Sequence, residues 1–459
     1  MQDFTSEKLY KLFQQLTSQN KIYIAYSGGV DSHVLLYSFC QLRLVYPALQ
    51  IFALHINHGI CANADNWQEH CQKICDDLSV RCLVKSVFVK SEILPGQSVE
   101  AAARNLRYQA FAAMMPDDNA VLLTAHHADD QAETLLLQLL RGAGPKGLAS
   151  IPAQSKFPEN KNIELLRPML NFSRNAILQY AQNHNLEWIE DESNCDLRIE
   201  RNYLRQQIVP LLKQHWPGMA KTFGRVATNC YEINQLAEIL AEQDYAVIRG
   251  DIQNTLLISE LTKLEPLRQR NVLRYFLQKV NLPLPSRIKI EQIQKTILYC
   301  TLDAQPVVAW AGAEVRRYGD YLYAMIPLSA HDENIVLSWD FMTPLTLPND
   351  LGTLVAKFGD GEKKCAVVAI TVRFRRGGER CQPRAKKHHC VLAKLFQEWK
   401  IPPWQRARIP LIYSGDELVM VVGYCKCEGW VWDIDQIRDM SQKERKIYEK
   451  ENITKIQEY

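Results

Sequence analysis

Four apolar runs of strand length punctuate the first half of the chain: Lys21–Tyr26, Leu49–Asn57, Arg81–Val89 and Ala120–His127. Between them, Asn63–Leu78 and Val99–Met115 space their apolar residues three and four apart, the period of a helix with one buried face. Near-continuous apolar strands alternating with amphipathic helices predict a parallel sheet covered on both sides, a doubly wound, Rossmann-like α/β domain over residues 1–215. Ligands of such sheets bind beyond the carboxyl ends of the strands. The polar residues that follow each run are therefore where chemistry is expected.

Pro210 and the stretch His215–Gly218 punctuate the end of this domain. Beyond it, Met219–Arg249, Ile258–Val280 and Arg287–Cys300 carry helical periods, and Val307–Pro327 reads as a hairpin turning near Gly319 and Asp320. A mostly helical region over 216–330 is the expectation. After a polar link at Ser329–Asn334, residues 335–432 are strand-rich, an α+β domain, and the charged tail 433–459 reads as a surface helix. No internal repeat or low-complexity tract interrupts the chain.

Composition changes this picture in three places. No apolar stretch reaches the roughly 20 residues of a membrane helix, and the start of the chain has no signal-peptide core, so a cytoplasmic protein without membrane contact is expected. Thirteen cysteines, closest at Cys71/Cys75 and Cys425/Cys427 and without any CxxC pair, read as reduced, mostly buried thiols rather than metal ligands or disulfides. The net charge of +3 is uneven: Thr371–Pro410 holds eleven Lys/Arg against two Asp/Glu. That excess is either a solvated basic face or a surface for a polyanion such as nucleic acid.

Chemistry concentrates at the strand ends. The sequence YSGGVDS follows the first run and opens a helix predicted to begin near Asp31. Gly28 and Gly29 let backbone N–H groups approach an anion, Ser27 and Ser32 add hydroxyls, and a helix start supplies free donors with partial positive charge. A phosphate loop of the GxxxxGK[ST] type would carry a lysine. Here Asp31 stands instead, which suits a Mg2+ ion between carboxylate and phosphates. The stretch His55–Gly59 closes the second run, where the two histidines, His55 and His58, are either structural or frame an adenosine.

A helix capped by Ser98 sets Glu100, Arg104, Arg107 and Tyr108 on one face. His126 and His127 end the fourth run, and Asp130 with Glu133 share the next helix face. That acidic pair is either a helix-dipole feature or a holder of Mg2+ or an ammonium group. Arg141 leads a glycine-rich segment, RGAGPKG, able to close over a substrate. Asp191, Ser193 and Asn194 then precede Arg201, Asn202 and Arg205, whose arginines face solvent or bind phosphate.

In this order, SGGVDS, HINHG, EAAARNLRY, HHADDQAET, LRGAGPKGL and DESNCDLRIERN resemble the tRNA(Ile)-lysidine synthases, within the PP-loop (N-type) ATP pyrophosphatases. The likeness is close over the first ~215 residues and looser over Arg373–Gly423. It implies ATP-dependent ligation of free L-lysine to the 2-position of the wobble cytidine in a CAU-anticodon isoleucine tRNA. The reaction would pass through an adenylated tRNA, release AMP and pyrophosphate, and change decoding from AUG to AUA. On that resemblance Ser27, Gly28, Gly29, Val30, Asp31 and Ser32, with His55 and Asn57, bind ATP, and Asp31 holds Mg2+. Arg107, Asp130 and Glu133 join Asp31 as catalytic residues. Arg104, His127, Arg141, Arg201, Arg205, Arg375 and Arg376 contact the substrates. Oligomeric state is left open, a homodimer included.

Three other readings compete. A tRNA thiolase of the same superfamily would exchange lysine for sulfur, although those with an iron–sulfur cluster use CxxC cysteines. Small-molecule amide synthesis leaves the basic segment unexplained. A nucleotide sensor needs the loop but neither Asp130 and Glu133 nor the glycine segment after them.

Overall fold

A computed structural model of the chain describes residues 3–57, 59, 63–87, 99–116, 120–191, 195–301, 304–341, 343–357, 370–428, 430 and 433–437, with side chains in the helix at 99–114 only from residue 104. The chain forms two compact units, Met1–Leu240 and Ala241–Tyr459.

The first unit is built on a six-stranded sheet. In chain order its elements are α1 (Ser6–Leu16), β1 (Lys21–Ala25), α2 (Val30–Val45), β2 (Gln50–Asn57), α3 (Ala64–Asp77), β3 (Arg81–Ser86), α4 (Val99–Met114), β4 (Val121–Leu123), α5 (Ala128–Leu140), α6 (Pro145–Leu148), β5 (Gln154–Lys156), β6 (Glu164–Leu166) and α7 (Arg174–Asn183). A short α8 (Glu200–Tyr203) passes through a π-helical turn, Leu204–Ile208, into α9 (Val209–His215), and α10 (Met219–Ile248) runs on into the second unit. Strand order is β3-β2-β1-β4-β6-β5, parallel throughout except for the edge pair β5–β6. The chain runs from β1 outward to β3, then returns to place β4 on the other side of β1. The gap beyond β1 and β4 is therefore the topological switch point, where open α/β sheets bind ligands.

Both sheet faces are buried, which is why the strands lack a polar alternation. Ile22 and Ile24 point into a core with Leu35, Phe39, Phe172 and Ile177. Tyr23, between them, points the other way, into a core with Leu54, Phe111, Leu122 and Phe157. The predicted runs match these strands, with two shortenings: the run Arg81–Val89 gives a strand that ends at Ser86, residues 88 and 89 lying outside the described residues, and Ala120–His127 gives the short β4. β4 ends at Leu123; just beyond it the Thr124 N–H still donates to the Leu166 carbonyl at 3.1 Å, and Thr124 Oγ1 hydrogen-bonds His126 Nδ1 at 2.8 Å.

The turn after β1 depends on Gly28. Its φ of +84° lies in the left-handed region, and a Cβ there would fall 2.7 Å from Ile189 Cδ1 and 2.8 Å from Cys71 Sγ. Its carbonyl accepts from the Ile189 N–H at 2.9 Å. Gly29 is the N-cap of α2 at φ −74° and makes no side-chain cap. Ser32 instead braces the turn, donating to the Gly29 carbonyl at 2.9 Å and accepting from the Ser27 N–H at 3.2 Å.

In the second unit, β7 (Thr255–Leu257), α11 (Ile258–Leu261), α12 (Pro266–Lys279), α13 (Arg287–Gln292), a π-helical stretch Ile293–Leu298, β8 (Val307–Trp310), β9 (Ala313–Tyr318) and β10 (Tyr321–Met325) come first. The predicted hairpin is β9–β10, joined by β7 and β8 into one antiparallel sheet over the core of Leu273, Phe276, Ile293 and Val315. A strand-rich region follows: β11 (Val336–Trp339), β12 (Leu345–Thr346), β13 (Thr353–Lys357), β14 (Ile370–Arg373), β15 (Arg380–Cys381), β16 (Cys390–Val391), α14 (Leu392–Glu398), α15 (Pro403–Arg406), β17 (Leu411–Ser414), β18 (Glu417–Val421), β19 (Cys425–Lys426) and β20 (Asp433–Ile437). The expectation of a surface helix from residue 433 fails where the chain is described. Asp433–Ile437 pairs antiparallel with all five residues of β13, and Ile434 is buried against Leu354 and Ala356. The rest of that tail, 438–459, lies outside the described residues.

The two loop glycines separate in their response to a methyl group. Gly28→Ala meets both a left-handed φ and two buried side chains, and should lower stability by about 1–3 kcal/mol. Gly29→Ala, whose Cβ would meet only Ser27 Oγ at 3.7 Å, should leave the melting transition nearly unchanged. Calorimetry of the two full-length variants measures the contrast, and equal destabilisation would refute the assignment of strain to Gly28.

Candidate active site

The switch point gathers acidic and basic side chains from four segments. Asp31, in the first turn of α2, places Oδ2 3.6 Å from His127 Nε2. His127 is the N-cap of α5: its Nδ1 accepts from the Asp130 N–H at 3.3 Å, while the His127 N–H donates to Asp130 Oδ2 at 3.0 Å. In the neutral ring, with Nδ1 accepting, the imidazole proton is on Nε2, which faces Asp31 and Asp130 Oδ2 3.4 Å away.

The helix face predicted to be acidic is paired. Arg201 Nε donates to Glu133 Oε2 at 2.9 Å and its Nη2 to Asp130 Oδ1 at 2.8 Å. Arg205 Nε donates to Glu133 Oε1 at 2.7 Å, and its Nη2 reaches Glu133 Oε2 at 2.9 Å and Asp130 Oδ1 at 3.0 Å. Glu133 is 2% exposed, so both oxygens are committed in a nearly dry setting. Such forked, charge-assisted contacts fix orientation as well as charge. Asp130, Glu133, Arg201 and Arg205 are thus brought together, the carboxylates holding the arginines.

The electrostatics follow from this crowding. Burial, the largest influence on Asp130, opposes ionisation, but His127, Arg201 and His126 outweigh it and hold the carboxyl at about 2. Burial likewise disfavours a charged His127, yet Asp130, Asp31 and Asp129 prevail and raise its pKa above the usual imidazole value. His126 goes the other way. Desolvation lowers it to about 4 despite Asp130, with Arg167, Arg201 and Arg104 adding to the depression. Two adjacent histidines are therefore set apart in charge preference by their neighbours.

Asp31 Oδ1 is buried without a hydrogen-bond partner, while Asp31 as a whole keeps 31% of its side-chain surface. A buried carboxylate oxygen left open beside a phosphate-sized loop fits a hard divalent cation, which takes oxygen ligands.

Other expected residues occupy different roles. His55 is buried and its Nδ1 is 3.0 Å from the Tyr26 carbonyl, tying β2 to the start of the loop. Asn57 donates to Asp65 and Gln68 and accepts from the Gly59 N–H, so its amide organises the turn after β2. Arg104 lies over the Tyr108 ring at 5.1 Å and donates to its hydroxyl; Arg107, one turn later, is exposed. Arg141 ends α5 and pairs at the surface with Glu200 at 2.6 Å. In the second unit, Arg375 stands 3.9 Å from Glu379, and Arg376 binds the carbonyls of Glu333 and Asn334. His58, Ser98, Ser193, Asn194 and the Glu100 side chain lie outside the described residues.

Asp129, its partner Lys213, and Arg167 went unread in the sequence. Asp129 accepts from the Arg174 N–H at 2.8 Å and pairs with Lys213, joining α5 to α7 and α9. Arg167, 6% exposed at the end of β6, donates to the Pro152 carbonyl at 2.8 Å. Only the position of Arg167 directly after an apolar run could have signalled it.

Comparison with known proteins bears on the family of the chain. Residues 1–212 match the PP-loop domain family, 256–323 the TilS substrate binding domain and 370–438 the TilS substrate C-terminal domain. A tRNA(Ile)-lysidine synthase of Coxiella burnetii is 46% identical over 442 residues, covering 94% of this chain and 96% of that one. Another, from Legionella pneumophila (strain Lens), is 41% identical over 416 residues, covering 89% and 92%. Among solved structures, the tRNA thiolase NcsA from Methanococcus maripaludis aligns at a TM-score of 0.40 with 19% identity, over 49% of this chain and 79% of that chain. The resemblance drawn from the ordered motifs is borne out, and the chain belongs to the tRNA(Ile)-lysidine synthase family.

Proposed function

We propose that this chain, by its family an ATP-dependent tRNA-modifying ligase, joins free L-lysine to the 2-position of the wobble cytidine in a CAU-anticodon isoleucine tRNA. The observation that carries the reading is the meeting of the glycine loop with the Asp31–His127–Asp130–Glu133–Arg201–Arg205 cluster at one switch point. The loop amides and the unblocked start of α2 receive the phosphates of ATP. Asp31 would hold Mg2+ through its open Oδ1, and that ion would neutralise phosphate charge when bound.

The reaction needs a poor leaving oxygen made good. Attack of the cytidine 2-carbonyl oxygen on the α-phosphorus of ATP forms the adenylated base and expels pyrophosphate. The lysine ε-amine then adds at the same carbon, loses a proton, and displaces AMP. The base must be drawn out of its stack for either step. Three carboxylates (Asp31, Asp130, Glu133) face two guanidiniums (Arg201, Arg205), leaving one unit of negative charge. The negative charge of Asp130, Asp31 and Asp129 outweighs burial and raises the His127 pKa. It also suits an incoming ammonium group, with the arginines supplying positive charge to the anionic intermediate. A cytoplasmic setting accords with these substrates.

For the tRNA body, the second unit offers exposed cations. Arg376, Arg380, Arg384, Lys387, Lys394 and Lys400 are exposed, whereas Arg375 is half-buried against Glu379 and Phe396. Phosphate contact therefore falls chiefly to residues beyond the Arg375–Arg376 pair. The overall reading is tested by incubating an isoleucine tRNA transcript with ATP and lysine and weighing its nucleosides: lysidine supports it, whereas unmodified cytidine or a sulfur adduct overturns it.

Asp31→Asn should reduce ATP–pyrophosphate turnover by at least two orders of magnitude with little change in melting temperature, since Asp31 contributes charge to the site and little to the core. Retained turnover would remove it from the mechanism.

Glu133→Gln keeps the shape but removes one charge that both arginines use. The KM for lysine should rise tenfold or more while the KM for ATP moves less; equal changes in both would assign Glu133 to positioning the arginines alone.

Reversing charge at Arg380, Arg384 and Lys387 together should weaken tRNA binding and flatten its salt dependence by roughly 0.7–0.9 log units per lost phosphate contact. Titration of labelled tRNA at several salt concentrations reads the slope, and an unchanged slope would make this face a merely solvated one.

A further inference from the structure

Four cysteines converge in the second unit although no spacing in the sequence announces them. Cys381 and Cys390 are directly opposed residues of the β15–β16 pair, and opposed residues project from the same face. Cys425 and Cys427 are two apart on a strand and the bridge that follows it, so they also share a face. The two segments are joined: Pro383 bridges to Cys427, the Arg384 N–H donates to the Lys426 carbonyl at 3.1 Å, and the Glu428 N–H donates to the Gln382 carbonyl at 2.9 Å. As a result the sulfurs of Cys381, Cys425 and Cys427 all lie within 4.8 Å of one another.

We infer that Cys381, Cys425 and Cys427, with Cys390 as fourth ligand, form a tetrahedral thiolate site for Zn2+. Tetrahedral Zn–S bonds of about 2.3 Å place sulfurs about 3.8 Å apart, so the three thiols need to close by no more than about 1 Å. Cys390 Sγ now rests 3.5 Å from the His388 carbonyl, a weak contact that a side-chain rotation would exchange for the metal. None of the four is engaged in a disulfide.

Buried cysteines are ordinarily small apolar side chains. What argues against that reading here is the convergence itself: segments distant in sequence are bridged so that three sulfurs meet within 4.8 Å of one another. Of the cations that adjoin the ligands in sequence, Lys386 is paired with Glu398 and Lys426 with Asp433, while Arg380 and Arg384 are exposed. The inner wall is apolar, formed by Leu392, Leu395, Phe396 and Val421, and limits water access.

The site would tie the hairpin loop Gln382–His389 to β19, fixing the exposed Arg384 and Lys387 on the sheet. That consequence rests on the proposed tRNA reading; the metal assignment does not.

The test uses the full-length chain, purified reduced and without chelator. Elemental analysis should find about one zinc per chain. Exchange with Co2+ should give the thiolate charge-transfer band and intense visible bands of a tetrahedral cobalt site. Cys425→Ser should lower zinc affinity at least tenfold, Cys390→Ser should weaken the charge-transfer band, and Cys195→Ser, at an exposed cysteine of the first unit, should match the parent chain. If Cys425→Ser does not fold, the parent chain and the half-buried Cys390→Ser decide alone. A parent chain that holds no zinc and takes up no cobalt overturns the assignment. So does a Cys381–Cys425 or Cys381–Cys427 disulfide in the freshly isolated chain, or iron with acid-labile sulfide in place of zinc. Lysidine formation is measured separately, so failure of either inference leaves the other standing.

Discussion

The first unit is organised around the ion cluster that joins α5 to the α8–π–α9 segment. Removing any one partner would leave a charge stranded in a poorly solvated site, and such charges typically cost several kcal/mol. The cluster holds because every group answers several others. Asp130 caps its own helix through Oδ2 and receives both arginines on Oδ1. Glu133 gives both oxygens to guanidinium forks. The same bonds orient the acidic face of α5 and bring it next to Asp31, so the pairing that fixes the helices also builds the site.

Much of this was readable from residue order, and for identifiable reasons. Parallel strands buried on both faces appear as unbroken apolar runs, so Ile22–Ile24 and its counterparts marked the sheet directly. Gly28, Asp31, Asp130, Glu133, Arg201 and Arg205 were each visible as chemistry at strand ends. What the sequence hid was who pairs with whom. Arg201 and Arg205 meet Asp130 and Glu133 across 68 to 75 residues, and no local spacing encodes a contact of that range. The cysteines show the same limit: Cys425 and Cys427 looked isolated until β15 and β16 brought Cys381 and Cys390 beside them. Asp433–Ile437 misled because its charges suggested a solvated helix, whereas the open edge of β13 takes it up as a strand.

The units divide the electrostatic work. The catalytic cluster is tightly compensated, with its charges held in short bonds and its histidines biased in opposite directions. The exposed cations of the second unit are mostly on loops and helix surfaces, where screening by salt is strong. One arrangement discriminates between protonation and ligand states at a point. The other acts over a Debye length and contributes to encounter more than to choice.

The π-helical turn Leu204–Ile208 follows directly on α8, which carries Arg201, and itself contains Arg205. A π turn closes its hydrogen bond one residue later than an α turn and amounts to a single inserted residue. Removing one residue there would restore α geometry and rotate everything after it by about 100° with a shift of about 1.5 Å. Arg201 would keep its place, while Lys213 would be carried away from Asp129. The inserted residue thus acts as a phase setting for the polypeptide, allowing two helices with conflicting angular demands to be drawn from one continuous run.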